Sequence, residues 1–572
     1  METKKLPVGK SDFKEIIEGN YCYVDKTLFI KEVIDKGDTI LVVPRPRRFG
    51  KTLNLSMIKY FYDCCPQTRS NVEEKTSPDT CKNLFDSLAI SRAGQKYLDK
   101  MGKHPVIFIS FRTIKAADWE ITYRKITKLI LDEYLKHDYL LTSPKLKSPE
   151  KDYFRRIIHL KGDREDYENS LEKLLIFLNR YWGERVVILI DEYDEPVHAG
   201  FTQGYYDDII NFMRNFLCGG LKDTDQYLEK SVITGIMRVA RESIFSGLNN
   251  PGVYTLLSKE FDDKFGFTEQ EVETLLKDFR VFDMYEQVQK WYNGYWFGKR
   301  TIYNPWSIIN FLGSEEKELK PYWSNTSDNK IVESLLSKGG KELKEELEQL
   351  IRGETIEKVI EENIVLKDIS LRENLLWSFL LMVGYLKQTS IKMDPHTGKM
   401  HYTLSIPNME VKTIYINIVE SFFADKIENR ELGIMLKALT EGDIDVFEEI
   451  FSGYVVKSMS FFDTAGEAEK VYHAFVMGLL LWLSPGYEIK SNRESGYGRY
   501  DIMIIPNDKN KLGFIIEFKK TRKKETLESA IKSALEQIEK QKYENELLQR
   551  GIKNYKKLAI VFKGKEVTIK EG

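Results

Sequence analysis

The sequence is poor in features that mark several classes of protein. Its five cysteines show no C-x-x-C spacing, which argues against a zinc site and favours reduced thiols. The longest apolar runs, near residues 375–386 and 474–483, are far shorter than the roughly 18–20 residues that a membrane-spanning helix needs. The N-terminus lacks the apolar core of a signal peptide, and no internal repeat or low-complexity linker is visible. We therefore expect a cytoplasmic protein with no membrane partner.

Length and composition indicate a soluble protein with several domains. The chain has 572 residues, of which 42% are hydrophobic and 30% are charged, and its formal net charge is −2. This length suggests about three or four domains, because single hydrophobic cores stop growing well below it. Positive charge is concentrated locally: from Gly486 to the end, twenty Lys and Arg accompany thirteen Asp and Glu. This charge distribution is compatible with a nucleic-acid partner.

A predicted strand, loop and helix form the first candidate site. The apolar run at residues 40–43 predicts a buried strand, and an amphipathic helix is predicted to begin at Gly-Lys-Thr, residues 50–52. A helix N-terminus presents free N–H groups and a positive dipole end to a phosphate. In such a loop Lys51 can reach the β- and γ-phosphates of a nucleotide, and the Thr52 hydroxyl can ligate Mg²⁺. The pattern therefore predicts nucleotide binding.

The loop departs from the usual phosphate-binding pattern at one position. Arg45 stands where that pattern has glycine, so a chance Gly-Lys-Thr remains an alternative at this point. A similar tripeptide, Gly-Lys-Ser at residues 9–11, follows no predicted strand, and we do not expect it to bind phosphate. The candidate nucleotide-binding residues of the loop are Arg45, Pro46, Arg47, Arg48, Phe49, Gly50, Lys51 and Thr52.

Two acidic residues at the end of a later strand supply a metal partner for this loop. The segment RVVILIDEYDEP (185–196) contains a continuous apolar run that predicts a strand of a parallel sheet, and this run ends in Asp191 and Glu192. Because the carboxyl ends of parallel strands share one edge, Asp191 on a neighbouring strand can hold Mg²⁺ directly or through water. Glu192 can then polarise the attacking water. A solvated acidic turn is the competing interpretation.

The next predicted strand, within residues 227–238, ends in polar and basic groups. Thr234 is expected to sense the γ-phosphate of a bound nucleotide. Arg238 and Arg241 follow it and could neutralise charge in the transition state. Surface salt bridges would account equally well for these two arginines.

A second constellation lies in the C-terminal region. Residues 498–506 and 514–520 predict two strands joined by a polar turn. If they form an antiparallel hairpin centred on the middle of that turn, Asp501 lies opposite Glu517, and Lys519 shares the face of Glu517. Two carboxylates and a lysine then converge at one end of the hairpin. An exposed salt bridge between Glu517 and Lys519 is the competing interpretation.

A predicted helix precedes this hairpin and a basic segment follows it. The helix, at residues 465–483, places Glu469 and His473 on one face, four positions apart. We interpret His473 as a packed core residue. The basic segment could track a phosphate backbone, and its members are Lys519, Lys520, Arg522, Lys523 and Lys524.

Seven stretches of the chain match the motifs of one family: YVDKT (23–27), RPRRFGKT (45–52), ILIDEYDEP (188–196), TGIMRVARESIFSGLNN (234–250), WYNGYWFG (291–298), YNPWSIINFL (303–312) and YWSNTSDN (322–329). On these motifs the chain resembles, over essentially its whole length, the bacterial and archaeal AAA-ATPase-like proteins that carry a C-terminal nuclease-like domain. RPRRFGKT is the usual form of the loop in that family. The resemblance therefore implies that Arg45 is a family trait.

The C-terminal hairpin resembles that of the PD-(D/E)xK nucleases. This resemblance implies that Asp501 and Glu517 bind Mg²⁺ or Mn²⁺ through oxygen ligands, and that Lys519 orients or activates the attacking water. It also implies that Glu469 supports the metal. The reaction would be metal-assisted hydrolysis of a phosphodiester bond.

The expected fold class is α/β, with a parallel-sheet P-loop NTPase domain and a C-terminal α/β PD-(D/E)xK nuclease-like domain. A helical lid and a winged-helix-like module are expected between them. The module is predicted from an apolar helix near residues 376–386 and the hairpin that follows it, and the family resemblance also suggests it. The predicted boundaries are 1–260 for the ATPase domain, 261–320 for the lid, 321–407 for the winged-helix-like domain, 408–455 for a helical connector and 456–572 for the nuclease-like domain.

These features predict an ATP-binding protein, a slow ATPase, whose nucleotide state controls a Mg²⁺-dependent nuclease that acts on DNA. Hydrolysis is expected to be slow because Arg45 places an additional cation, rather than backbone room, beside the phosphates. One alternative is an ATP-dependent switch or scaffold whose nuclease domain is inactive and only binds nucleic acid. Another is a nucleotide-binding protein with negligible turnover, in which Arg45 occludes the loop. A homo-oligomer would be required if a neighbouring chain supplied a catalytic arginine.

Overall fold

Five strands form the sheet of the N-terminal region: β1 (Ile40–Val42), β2 (Val106–Ser110), β3 (Val186–Asp191), β4 (Leu228–Ile233) and β5 (Gly252–Val253). In the computed structural model their order is β2-β3-β4-β1-β5, and all neighbours are parallel. The predicted parallel sheet is confirmed. One detail differs: β4 lies between β1 and β3, so the strand that carries Asp191 is not the direct neighbour of the P-loop strand.

Helices connect these strands, as parallel pairing requires. The most important for the site is α3, which begins at Lys51 directly after Gly50; the φ angle of Gly50 is +83°. Gly183, with φ +76°, ends the helix that precedes β3. The helices are α1 (Phe13–Glu18), α2 (Leu28–Asp35), α3 (Lys51–Tyr62), α4 (Gln95–Leu98), α5 (Trp119–Leu135), α6 (Ser148–Ile158), α7 (Arg164–Glu168), α8 (Ser170–Trp182), α9 (Glu195–Gln203) and α10 (Tyr206–Leu221).

The chain divides into two compact units, residues 1–335 with 357–411 and residues 336–356 with 412–572. Within the described residues, no helix combines the length and apolar character that crossing a membrane would require. The structure describes residues 4–63, 83–237, 244–245, 251–323, 332, 335–336, 341–364, 366–369, 372–424, 429–458, 476, 480, 483, 486–491, 494–495, 498–499, 501–521, 525–563 and 566–572.

Residues 261–320 contain more than the predicted helical lid. Helix α11 begins at the predicted N-cap, Thr268, whose hydroxyl accepts a hydrogen bond from the Glu271 N–H in a capping box. A short antiparallel hairpin, which the sequence does not predict, separates α12 from α13. Tyr292 and Tyr295 are buried here and not open to a ligand. The elements are α11 (Glu269–Asp278), α12 (Tyr285–Tyr292), β6 (Tyr295–Phe297), β7 (Arg300–Ile302) and α13 (Pro305–Gly313).

The predicted helix and hairpin of the winged-helix-like region are present. Asp394 accepts hydrogen bonds from the N–H groups of His396 and Thr397, which fixes the turn of the hairpin. A third strand, absent from the prediction, pairs beside the hairpin. Helix α14 (Lys341–Arg352) precedes this region in the chain and belongs to the second compact unit. The elements of the region are β8 (Ile356–Val359), α15 (Leu366–Ile369), α16 (Glu373–Met382), β9 (Lys387–Met393) and β10 (Met400–Ser405).

The C-terminal unit contains a mixed five-stranded sheet of order β11-β14-β15-β16-β17, in which only the β15–β16 pair is parallel. Its strands and helices are α17 (Met409–Ala424), α18 (Asn429–Glu441), α19 (Ile444–Ser458), β11 (Tyr487–Ser491), β12 (Glu494–Ser495), β13 (Gly498–Arg499), β14 (Ile502–Pro506), β15 (Gly513–Lys520), α20 (Leu527–Gln541), α21 (Asn545–Gln549), β16 (Tyr555–Lys563) and β17 (Glu566–Glu571).

Helices cover both faces of this sheet. Apolar residues of α18 and α19, among them Met435 and Phe451, share one core with Ile504 and Phe514 of the sheet. On the opposite face, Ile538 of α20 packs with β14 and β15. Residues 429–458, most of which lie in the predicted helical connector (408–455), therefore contribute to the core of the C-terminal unit. The reason is that their apolar faces complete the burial of a sheet that would otherwise have one side exposed.

Candidate nucleotide and nuclease sites

A cavity of about 310 Å³ lies where β1, β2 and β3 end, at the carboxyl edge of the parallel sheet. Residues 7–11 also contribute to its wall, so the Gly-Lys-Ser tripeptide lies beside the predicted phosphate loop. The ionisable residues of the lining are six cations and two carboxylates: Lys10, Arg47, Arg48, Lys51, Arg112, Lys115, Glu192 and Glu195. This excess of positive charge suits a polyphosphate ligand.

The backbone of the predicted loop is shaped to bind an anion. Arg48 and Gly50 both have left-handed conformations, with φ +67° and +83°, and such turns direct successive N–H groups into an anion-binding concavity. The ammonium of Lys51 donates hydrogen bonds to the carbonyls of Arg45 and Pro46, at 3.0 and 3.1 Å. Burial lowers the pKa of Lys51. The guanidinium of Arg48 stacks 4.1 Å above the ring of Trp306.

Arg45 does not face the cavity, contrary to the prediction. Its side chain is fully buried and lies over the rings of Phe265 and Phe297. The guanidinium donates hydrogen bonds to the carbonyls of Pro44 and Tyr254, at 2.8 and 2.7 Å. Burial lowers the pKa of Arg45 to about 9. Arg45 thus ties the loop to the chain that follows β5, and it neither contacts a phosphate in this arrangement nor occludes the loop.

Two further residues of the loop also pack inward. Phe49 is fully buried and contacts the rings of Tyr295 and Phe297. Pro46 is buried as well. Neither lines the cavity, so their side chains pack the loop against its surroundings, and their predicted contact with nucleotide stays a prediction. The loop residues that line the cavity are Arg47, Arg48, Gly50, Lys51 and Thr52.

Asp191 is fully buried and accepts three hydrogen bonds from hydroxyl groups. Thr52 donates at 2.8 Å and Ser110 at 3.3 Å to one carboxylate oxygen, and Thr234 donates at 2.9 Å to the other. Thr234 is itself fully buried and does not line the cavity. It therefore orients Asp191, and its predicted role in sensing the γ-phosphate stays a prediction. No motif in the sequence points to Ser110.

The oxygen groups at this edge fit a divalent cation. The Thr52 hydroxyl lines the cavity while its proton is directed to Asp191, which leaves its lone pairs available to Mg²⁺. Glu192 also lines the cavity, and its φ of +50° is rare for a residue other than glycine. Burial raises the pKa of Glu192, and the nearby Lys51 opposes this shift. Arg238 and Arg241 lie outside the described residues.

Three residues next to Asp191 organise the surrounding loops, and the sequence analysis assigned none of them. Asp194 accepts hydrogen bonds from the N–H groups of Ile236 and Met237, at 2.7 and 3.0 Å. Tyr193 donates to the Met237 carbonyl at 2.8 Å. The third residue, Glu195, pairs with Arg47 at 2.8 Å and Lys115 at 2.5 Å. The acidic run after β3 thus holds the loop that follows β4 and the phosphate loop.

The predicted hairpin register of the second site is confirmed. Ile502 pairs with Ile516 and Met503 with Ile515, so Asp501 lies opposite Glu517 at the next position. Asp501 accepts a hydrogen bond of 2.8 Å from the Phe518 N–H. The ammonium of Lys519 lies 3.5 Å from Glu517, whose side chain is almost fully buried.

Gln537 of α20 joins this group, and the sequence analysis missed it. Its amide nitrogen donates to Oε1 of Glu517, and its carbonyl oxygen accepts a hydrogen bond of 2.7 Å from Lys519. One clue was available: Ala530, Ala534 and Ile538 place an apolar face on α20, and Gln537 is a polar residue at the same helical spacing.

The carboxylates of the second site have the chemistry of a cation site. Oε2 of Glu517 is buried and lacks a hydrogen-bond partner among the described residues. Burial and the nearby charge of Asp501 raise the pKa of Glu517 to about 8. Oxygen donors of this kind fit Mg²⁺ or Mn²⁺. Within the described part of the chain no three His, Cys, Asp or Glu residues converge as a metal-binding group, and Glu469 lies outside that part.

Comparisons with known proteins agree with this division into two sites. Residues 7–245 match the family described as predicted AAA-ATPase, and residues 467–572 match the PD-(D/E)XK nuclease superfamily. Over 417 residues the chain is 26% identical to an uncharacterized protein in the vnfD 5′ region of Azotobacter chroococcum mcd 1. The matched region covers 72% of this chain and 69% of that protein. No solved structure matches the chain. The chain therefore joins a domain of the predicted AAA-ATPase family to a domain of the PD-(D/E)XK nuclease superfamily.

Proposed function

We propose that this protein binds and hydrolyses ATP with Mg²⁺, and uses its nucleotide state to control a Mg²⁺-dependent nuclease that cleaves DNA. The observation that carries the ATP half is the cationic cavity into which Lys51, Thr52 and Glu192 project at the carboxyl edge of a parallel sheet. The observation that carries the nuclease half is that Asp501 lies opposite Glu517 in the hairpin, with Lys519 beside Glu517.

At the first site the residues divide the work between binding and chemistry. The N–H groups at the start of α3 and the ammonium of Lys51 bind the phosphates. Thr52 would hold Mg²⁺ directly, and Asp191 would act through Thr52 or through water, because it lies behind that hydroxyl. Mg²⁺ supplies charge neutralisation for the phosphoryl group. Glu192 takes the proton of the attacking water, and a raised pKa suits a general base.

At the second site Asp501 and Glu517 would hold Mg²⁺ or Mn²⁺, which supplies Lewis-acid activation of the scissile phosphate. Lys519 neutralises phosphate charge and orients the attacking water. Gln537 fixes the side chains of Glu517 and Lys519 relative to each other. The predicted support from Glu469 remains part of the proposal.

The test is a cleavage assay on the purified full chain, with single- and double-stranded DNA and with RNA. Each substrate is tested with and without Mg²⁺ and with ATP, ADP or a non-hydrolysable ATP analogue. We expect Mg²⁺-dependent cleavage of DNA whose rate depends on the nucleotide. The variant with both Asp501→Ala and Glu517→Ala should lose cleavage and keep ATP binding. Lys51→Ala should lose ATP binding and, with it, the dependence of the cleavage rate on nucleotide. Lys509→Ala, in the exposed turn of the same hairpin, is the matched control.

One alternative is an ATP-dependent switch or scaffold whose nuclease domain binds nucleic acid without cutting it. Nucleotide-dependent DNA binding without cleavage at any Mg²⁺ or Mn²⁺ concentration would support it. Cleavage that persists in the Asp501→Ala, Glu517→Ala variant would reject the nuclease assignment itself.

A further inference from the structure

Two cations that follow β2 lie in the nucleotide cavity, and no motif in the sequence points to them. Arg112 and Lys115 both line it, on the side of the cavity formed by the ends of β2 and β3. Arg112 is exposed and forms no ion pair among the described residues. Burial and the charge of Arg112 lower the pKa of Arg48 in the phosphate loop, so the two guanidinium groups lie near each other.

The end of β2 is adjacent to the expected metal position. Ser110 is the last residue of β2, and its hydroxyl donates to the same oxygen of Asp191 that accepts from Thr52. Thr52 is the residue that would hold Mg²⁺ beside the phosphates of a bound nucleotide. Arg112 follows Ser110 by two positions and lines the cavity. A cation at this place, close in sequence to a residue that contacts Asp191, can interact with the phosphates of a bound nucleotide.

Glu195 ties this second cationic segment to the phosphate loop. Its carboxylate is only 4% exposed and pairs with Arg47 on one side and Lys115 on the other, at 2.8 and 2.5 Å. A buried carboxylate with two cationic partners fixes the direction of both side chains. Because both cations also line the cavity, Glu195 holds them at its wall.

We propose that Arg112 and Lys115 neutralise the terminal phosphate of a bound nucleoside triphosphate within the same chain, and that Glu195 is the positioning residue for Lys115 and Arg47. This inference rests on the proposed ATP binding. In this arrangement the segment after β2 provides the cations that distinguish a bound triphosphate from a diphosphate. Turnover then needs no arginine from a second copy of the chain.

The first experiment compares ATP and ADP affinity in the full chain with Mg²⁺. Arg112→Ala should weaken ATP binding by about tenfold or more, the effect of one charge-assisted hydrogen bond, and leave ADP binding nearly unchanged. Arg112→Lys, which keeps the positive charge, should restore most of the difference between ATP and ADP affinity. Lys128→Ala, which removes an exposed cation on the helix after this segment, is the matched control. Equal losses for ATP and ADP, or no loss, would overturn the assignment.

The second experiment separates action within one chain from action between chains. ATP turnover per chain is measured over about a hundredfold dilution, which also dissociates any oligomer. Light scattering monitors the oligomeric state at each concentration. Constant turnover supports the inference; turnover that disappears on dissociation overturns it.

Glu195→Gln tests the positioning role of Glu195. The variant should lose more affinity for ATP than for ADP, so that its preference for ATP falls. An unchanged preference would show that Glu195 has no positioning role. A wild-type chain that binds neither nucleotide would refute the proposed function itself.

Discussion

The hydroxyl of Thr52 donates a hydrogen bond of 2.8 Å to the carboxylate of Asp191. This bond joins the first turn of α3 to the end of β3 across the intervening strand β4. Asp191 is fully buried while Thr52 lines the cavity. The acid orients this hydroxyl, and it would act on a bound Mg²⁺ mainly through it.

Replacing Asp191 with Asn should separate binding from turnover. The amide keeps the shape but loses the negative charge that orients Thr52 and its cation. We expect ATP turnover to fall by about 100-fold, comparable to losing one preorganised electrostatic contact, with little change in nucleotide affinity without Mg²⁺. Steady-state turnover and equilibrium binding measure the two effects. Ser110→Ala, which removes the longest of the three hydrogen bonds, should have a much smaller effect, and equal effects of the two changes would contradict this view.

Arg45→Gly restores the usual loop sequence and should nevertheless harm the protein. The change removes a buried guanidinium and leaves the carbonyls of Pro44 and Tyr254 without their donor. Each buried carbonyl left without its donor costs about 1–3 kcal/mol, so the thermal midpoint should fall clearly. Arg48→Ala is the matched control: it should weaken ATP binding with little loss of stability. If the Arg45→Gly protein is as stable as the wild type but binds ATP more weakly, Arg45 acts in phosphate binding and not in packing.

These two arginines show where sequence reasoning succeeded and where it stopped. The strand–loop–helix order and the hairpin register follow from short-range periodicity, because alternation along a strand fixes which side chains share a face. The direction of Arg45 depends on the carbonyl of Tyr254, 209 positions away. No local pattern encodes such a partner. Arg45 and Arg48 therefore look equivalent in the sequence, although one is buried and the other lines the cavity.

The same limit applies to the sheet and to the second site. The strands of the N-terminal sheet were predictable as apolar runs, but their order was not, so β4 was not expected between β1 and β3. Gln537 reaches Glu517 from a helix 20 residues later in the chain. Its helical spacing marked it as a polar residue on an apolar face. Gln537 meets its partners Glu517 and Lys519 only when α20 packs on the sheet, and the sequence does not show this packing.

Gln537→Leu should reduce DNA cleavage without preventing folding. Leucine matches the apolar face of α20 but cannot bridge Glu517 and Lys519. The lysine then samples other positions, and we expect the single-turnover rate at saturating Mg²⁺ to fall by about tenfold to 100-fold. Gln549→Leu, at the end of α21 and exposed, is the control. If Gln537→Leu cleaves at the wild-type rate, Gln537 has no positioning role.

Glu410 is a buried acid whose titration should be visible in stability. It accepts hydrogen bonds of 2.9 Å from the Ser307 hydroxyl and the Trp323 N–H. Burial raises the pKa of Glu410 to about 7, above its ordinary value of 4.5. The folded protein thus binds this proton more tightly than the unfolded chain. Stability from this group is full below pH 4.5 and declines as pH rises toward 7.

Glu410→Gln should flatten that part of the pH profile. The shift corresponds to a contribution on the order of 3 kcal/mol that the wild type loses between about pH 4.5 and 7. We therefore expect the thermal midpoint, followed by tryptophan fluorescence, to fall more in the wild type than in the variant between about pH 5 and 8. Glu441→Gln, at an exposed position, should retain the wild-type profile. Superimposable profiles for the wild type and Glu410→Gln would show that Glu410 ionises at an ordinary pH in the folded protein.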